Sequence, residues 1–300
     1  MVSYPLVTPP ITGGTLDQRA IDLFDEYTHT GLERSAFLKR LAVLTGGVVA
    51  AQALLPLLEV NYLHAQVVPK RDERIHSGRV TFEGADGPVQ GYLARPNDDK
   101  KHAGVMVIHE NRGLNPHIED VARRAALAGF VALAPDALSS MGGTPDDSDK
   151  ARSMIYQLDS ETTRANFVAA AAHLRQHPHC TGKVGCVGFC WGGGMANQLA
   201  VRDPQMLAAV AFYGQQADAR DAGRIKGALL LHYAGLDRRI NAGIAAYEEA
   251  LKAAGVDYTL HMYDGVNHAF HNDTAPTRYD KAAATLAWER TMAFFEAQLR

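Results

Sequence analysis

The sequence predicts an α/β fold: a mostly parallel eight-stranded sheet with helices on both faces, preceded by an N-terminal helical extension. Three observations predict it. From Ser77 onward, short extended runs alternate with amphipathic stretches, the pattern of strands joined by crossover helices. Several runs, such as Val105-Met106-Val107-Ile108 and Leu229-Leu230-Leu231, are apolar without alternation, as strands covered on both faces must be. Residues 1–70 lack this rhythm and read as an extension to a domain spanning 71–300.

Within the extension, Thr15-Leu16-Asp17-Gln18 fits a capping box, and Ile21, Phe24 and Tyr27 then share one helical face before Gly31. Leu41 to Leu58 carries no charge but contains Gly46-Gly47, Gln52 and Pro56, a borderline length for a membrane span. Arg34-Ser35-Ala36-Phe37-Leu38-Lys39 resembles a twin-arginine export signal in which Ser35 replaces the second arginine, with Leu63-His64-Ala65 as the matching cleavage site. Three readings stand: a retained helical extension, which is favoured, a degenerate export signal, and a membrane anchor. The first places the protein in the cytoplasm, the second in the periplasm.

The domain that follows has extended runs at Arg79–Glu83, Val89–Leu93, Gly104–His109, Val131–Ala134, Val184–Phe189, Ala209–Tyr213, Leu229–Tyr233 and Tyr258–Tyr263. One intervening helix starts at Asn115-Pro116, a cap followed by proline at the first helical position. The last helix carries Trp288, Met292, Phe295 and Leu299. Apolar residues make up 47% of the 300-residue chain and the net charge is −3, so no global field recruits nucleic acid or an anionic membrane. Three cysteines do not make a disulfide framework. Cys186 and Cys190 are separated by about 13 Å if extended, beyond the roughly 7 Å a disulfide spans.

The chemistry centres on Gly188-Phe189-Cys190-Trp191-Gly192, which follows a strand and precedes the helix-compatible run Gly193 to Val201. That is the setting of a nucleophile elbow in an α/β-hydrolase fold. A helix N-terminus favours a thiolate, and the Trp191 N–H is expected in an oxyanion hole. On this fold the acid and then the histidine follow on loops after later strands. Asp237 comes after Leu229–Tyr233, and His268 after Tyr258–Tyr263. The spacing His109-Glu110-x₆-His117 does not place two imidazoles on one helical face, so no metal and no cofactor are expected.

These residues resemble the dienelactone hydrolase (carboxymethylenebutenolidase) family over roughly Arg79 to Arg300. The matching stretches are Val107-Ile108-His109-Glu110, Ala134-Pro135-Asp136, Gly182 to Gly193, Phe212-Tyr213-Gly214 and Gly265-Val266-Asn267-His268-Ala269-Phe270. The resemblance implies that Glu110 holds the resting thiol until substrate binds. The Asn111 N–H, on the same turn, is the expected second oxyanion donor. There are two departures. Asn272 stands where the family has an arginine that grips the substrate carboxylate, leaving Arg112 or Arg152 as replacement cations. The compact family members also lack the N-terminal extension.

The reading is a hydrolase of small esters or lactones, monomeric or homodimeric, with no nucleic-acid partner and no membrane partner. Its rivals are a broad carboxylesterase or thioesterase and a non-catalytic module that uses the thiol for binding or redox sensing.

Overall fold

The computed structural model describes residues 17–62 and 66–300. Thr15 and the expected cleavage site Leu63-His64-Ala65 lie outside the described residues. The chain forms two compact units, Met1–Glu59 and Val60–Arg300.

The first unit contains helices α1 (Gln18–His29), α2 (Arg34–Thr45) and α3 (Val48–Leu58). Asp17 caps α1, its carboxylate accepting the Arg19 N–H at 3.0 Å. Ile21, Phe24 and Tyr27 are buried as their spacing predicts, and Tyr27 stacks on Phe37 at 4.4 Å between ring centroids. The charge-free run 41–58 is not one continuous helix. It divides between α2 and α3, which meet at 111° across Gly46-Gly47. Among the described residues no single helix is long and apolar enough to cross a membrane.

The second unit holds one eight-stranded sheet in the order β1-β2-β4-β3-β5-β6-β7-β8. The strands are β1 (Ile75–Glu83), β2 (Pro88–Pro96), β3 (His102–Ile108), β4 (Val131–Pro135), β5 (Cys180–Phe189), β6 (Ala208–Phe212), β7 (Ala228–Ala234) and β8 (Tyr258–Tyr263). β1 with β2 and β2 with β4 are antiparallel, and every other neighbouring pair is parallel. Helices α4 (Pro116–Leu127), α5 (Ser148–Ile155), α6 (Ser160–Gln176), α7 (Trp191–Arg202), the short α8 (Arg238–Asn241), α9 (Ile244–Ala253) and α10 (Lys281–Leu299) fill the connections and the C-terminus.

The non-alternating strands are explained by the packing. Val105 and Val107 of β3 join a core with Ile118 and Val121 of α4 and Ala287 and Phe295 of α10. Met106 and Ile108, pointing the other way, join Phe167 and Leu174 of α6 and Leu199 of α7. Both faces are apolar because both are covered. Asn115 caps α4 by accepting the N–H groups of His117 and Ile118, with Pro116 at the first helical position. This helix therefore starts immediately after the loop that leaves β3, where the candidate site begins.

Candidate active site

Cys190 sits between β5 and α7 with φ +56° and ψ −115°. For a residue with a side chain this backbone costs of order 1–3 kcal/mol, so neighbours must enforce it. A Cβ on Gly188 would stand 1.8 Å from the Gly192 carbonyl oxygen, and one on Gly192 would stand 2.4 Å from the carbonyl oxygens of Ile108 and His109. Only glycine permits so close an approach of β5, α7 and the end of β3. The Cys190 N–H donates to the Phe212 carbonyl at 3.0 Å, fixing the turn to β6. Trp191 opens α7, so its N–H has no acceptor within the helix.

His268 and Asp237 come from the loops after β8 and β7. The His268 Nδ1 lies 2.5 Å from Asp237 Oδ2, with both side chains buried. The other Asp237 oxygen accepts the Ile240 N–H at 3.1 Å and caps α8, which orients the carboxylate. The two loops are tied together by Gly235 N–H to Tyr263 O at 2.7 Å and Leu236 N–H to Val266 O at 3.0 Å. A ring nitrogen of His268 lies within 4.8 Å of Cys190 Sγ. Three residues predicted from separate strand ends are thus brought together.

The loop after β3 forms the adjoining wall. The Ala137 N–H donates to His109 Nε2 at 3.2 Å, and His109 Nδ1 lies 2.6 Å from Glu110 O. An Nε2 that accepts must be unprotonated, so Nδ1 carries the proton and donates to Glu110 O. Complete burial holds the His109 pKa below the ordinary histidine range, consistent with this neutral form. The imidazole stacks on Trp191 at 5.2 Å between centroids and fixes the indole beside the elbow. Beyond Glu110, the Asn111 amide donates to Tyr156 OH at 3.2 Å. Leu114 N–H donates to Thr144 Oγ1 at 2.9 Å, and Thr144 in turn donates to Asp136 at 2.7 Å.

Glu110 is 8% exposed. One of its oxygens accepts the Asn272 side-chain amide at 2.6 Å, and the other accepts Tyr213 OH at 3.4 Å. Asn272 is therefore committed to a carboxylate of the protein itself. Of the two alternative cations, Arg152 is paired with Asp149 at 3.6 Å. Arg112 is 6% exposed, yet its Nε has no hydrogen-bond partner among the described residues, and none of their carboxylates pairs with it. His117, the second histidine of the His-Glu-x₆-His spacing, lies instead 3.0 Å from Asp273.

Two residues at the site were given no role by the sequence reading, although Tyr213 fell in one of the stretches that carry the resemblance. Tyr213 adopts φ +40° just past β6, with its ring 4.9 Å from that of His268. Burial pushes its phenol pKa well up, keeping the hydroxyl protonated and able to donate. Its place just past a buried strand was a signal that could have found it. Tyr62 accepts from Asn115 at 3.2 Å, and no sequence pattern marks it.

A sharp strand-to-helix turn at Cys190 on a central parallel strand, with Asp237 and His268 on later strand-end loops, has the layout of an α/β-hydrolase. The sequence profile of the dienelactone hydrolase family matches residues 89–299, and the chain belongs to that family. It is accordingly a hydrolase of the carboxylic ester class. A hydrolase fragment of Escherichia coli, YghX, is 48% identical over 114 residues, covering 37% of this chain and 97% of its own. A carboxymethylenebutenolidase-like protein of Saccharolobus solfataricus is 31% identical, covering 71% of this chain and 96% of its own. Among solved structures, a dienelactone hydrolase-like promiscuous phosphotriesterase from metagenomic libraries superimposes with a TM-score of 0.69 at 26% identity, covering 76% and 100% of the two chains.

Proposed function

We propose that this hydrolase cleaves a small ester or lactone through a thioester on Cys190. His268 takes the thiol proton, Asp237 orients the imidazole, and the thiolate attacks the substrate carbonyl. The N–H groups of Asn111 and Trp191 stabilise the oxyanion. His268 returns its proton to the leaving alkoxide, then activates the water that cleaves the thioester and regenerates the thiol. The observation that carries the reading is the buried 2.5 Å contact between His268 and Asp237 beside the elbow cysteine. A ring nitrogen of His268 within 4.8 Å of the Cys190 sulfur puts the base in reach of the thiol.

Rapid quenching with a chromogenic acetyl ester is expected to leave an acetyl group on the peptide carrying Cys190, read by mass spectrometry. An acetyl group found elsewhere, or none during steady turnover, would sink the thioester route.

Arg112 bears on the substrate. A buried guanidinium that no carboxylate among the described residues pairs with favours a ligand that brings one, here a carboxylate on the ester or lactone. Arg112→Ala is expected to raise KM for esters bearing a carboxylate by at least about 10-fold while leaving neutral esters nearly unchanged. Equal effects on both would favour the broad-esterase alternative.

A further inference from the structure

We infer that His109 is a positioning residue for the oxyanion hole: by holding the Glu110 carbonyl it sets the plane of the peptide whose other end is the Asn111 N–H. The inference rests on the thioester reading above, in which that N–H meets the substrate oxygen.

The link is covalent geometry. The Glu110 carbonyl and the Asn111 N–H belong to one planar, trans peptide unit. They point in opposite directions, so a group that fixes the oxygen also fixes the hydrogen. His109 Nδ1 lies 2.6 Å from that oxygen and donates to it. Among the described residues no other group donates to this carbonyl. Residues 109–115 join β3 to α4 outside regular structure, so no ladder of backbone bonds would otherwise hold the plane. Unrestrained, it would rotate about its two flanking single bonds and carry the N–H away from the nucleophile. Ile108 pairs with Gly188 in parallel, so this peptide leaves β3 level with Cys190 and Trp191 beyond β5.

The ring that holds the carbonyl is itself fixed from three elements. Ala137, in the loop after β4, donates its N–H to Nε2 at 3.2 Å. Trp191 of α7 stacks on the imidazole, with 7° between the planes. Phe167 of α6 meets it edge-on at 6.4 Å between centroids. His109 is 0% exposed, so water does not compete for either nitrogen. A donor aimed before the reaction begins needs no reorganisation as charge develops, which is why its direction governs rate.

Steady-state kinetics of the full-length protein with a neutral aryl ester test this. His109→Phe keeps a flat ring against Trp191 but has no N–H. It is expected to lower kcat by at least about 10-fold with KM within about threefold, less than outright removal of an oxyanion donor costs. His109→Leu and His109→Asn are matched in shape, and only the asparagine carries a donor near the place of Nδ1. The Asn variant should keep kcat within about threefold of wild type, while the Leu variant falls as the Phe variant does. Packing alone predicts another order, with Phe the least harmed. The Asn–Leu comparison also stands if the Phe variant fails to fold. Iodoacetamide supplies the control, because the Cys190 sulfur displaces iodide at a saturated carbon and no oxyanion forms. Its rate should stay within about twofold across the variants. Unchanged kcat in the Phe and Leu variants, an Asn variant no better than Leu, or alkylation falling in step with kcat overturns the inference. Turnover surviving Cys190→Ala would instead overturn the thioester reading, so the two failures are distinguishable.

Discussion

Cys190→Ala is expected to lower turnover of aryl esters and lactones by about 10⁴-fold or more, the scale on which removal of a nucleophile from a triad acts. The loss is large because the remaining groups cannot replace a covalent step. His268 and the two N–H donors would still bind a carbonyl and polarise it, leaving a residual rate above water. The fold should survive, since alanine fits a site already shaped by its glycine neighbours and the removed sulfur is one atom. Steady-state kinetics over a panel of lactones and open-chain esters, with circular dichroism as control, measures this. Turnover unchanged by the substitution would remove Cys190 from the mechanism. If the unaltered protein instead released one equivalent of leaving group and then stopped, the thiol-module alternative would gain.

Gly188→Ala is expected to lower stability by at least about 3 kcal/mol, a large loss for the addition of one methyl group. The added carbon would meet the Gly192 carbonyl oxygen at 1.8 Å and the Gly193 nitrogen at 2.8 Å. Those are backbone atoms at the start of α7, and they can recede only if the helix separates from the sheet. Gly78→Ala in β1 is the matched control, because nothing lies within 4 Å of its added carbon. Its effect should stay within about 0.5 kcal/mol. Urea denaturation of the two variants gives the comparison, and similar midpoints would contradict the packing account of the elbow.

The sequence could reveal what depends on strands and their ends. All eight runs became strands, and Cys190, Asp237 and His268 stand just beyond three of them. β1 and β2 proved longer than expected; among their added residues His76 is exposed and Arg95 half-buried, and neither carries an apolar signal. The antiparallel pairing of β2 with β4 was equally hidden, since one strand does not state its neighbour's direction. Side-chain pairing was hardest to read. Asn272 looked like a lost cation site, and only Thr274, two residues away, shows which way its amide faces. Arg112 and Arg152 were indistinguishable until Asp149 was found beside one of them.

The register of the sheet has a consequence for how such a protein diverges. Cys190, Glu110, Asp237 and His268 stand on different strand ends, and backbone hydrogen bonds, indifferent to side-chain identity, set the spacing between those ends. The scaffold is in effect a ruler with interchangeable markings. Residues such as Arg112 lie on loops beyond it. A lineage can rewrite them to suit a new acyl or alcohol group while the distances on which bond cleavage depends are inherited intact.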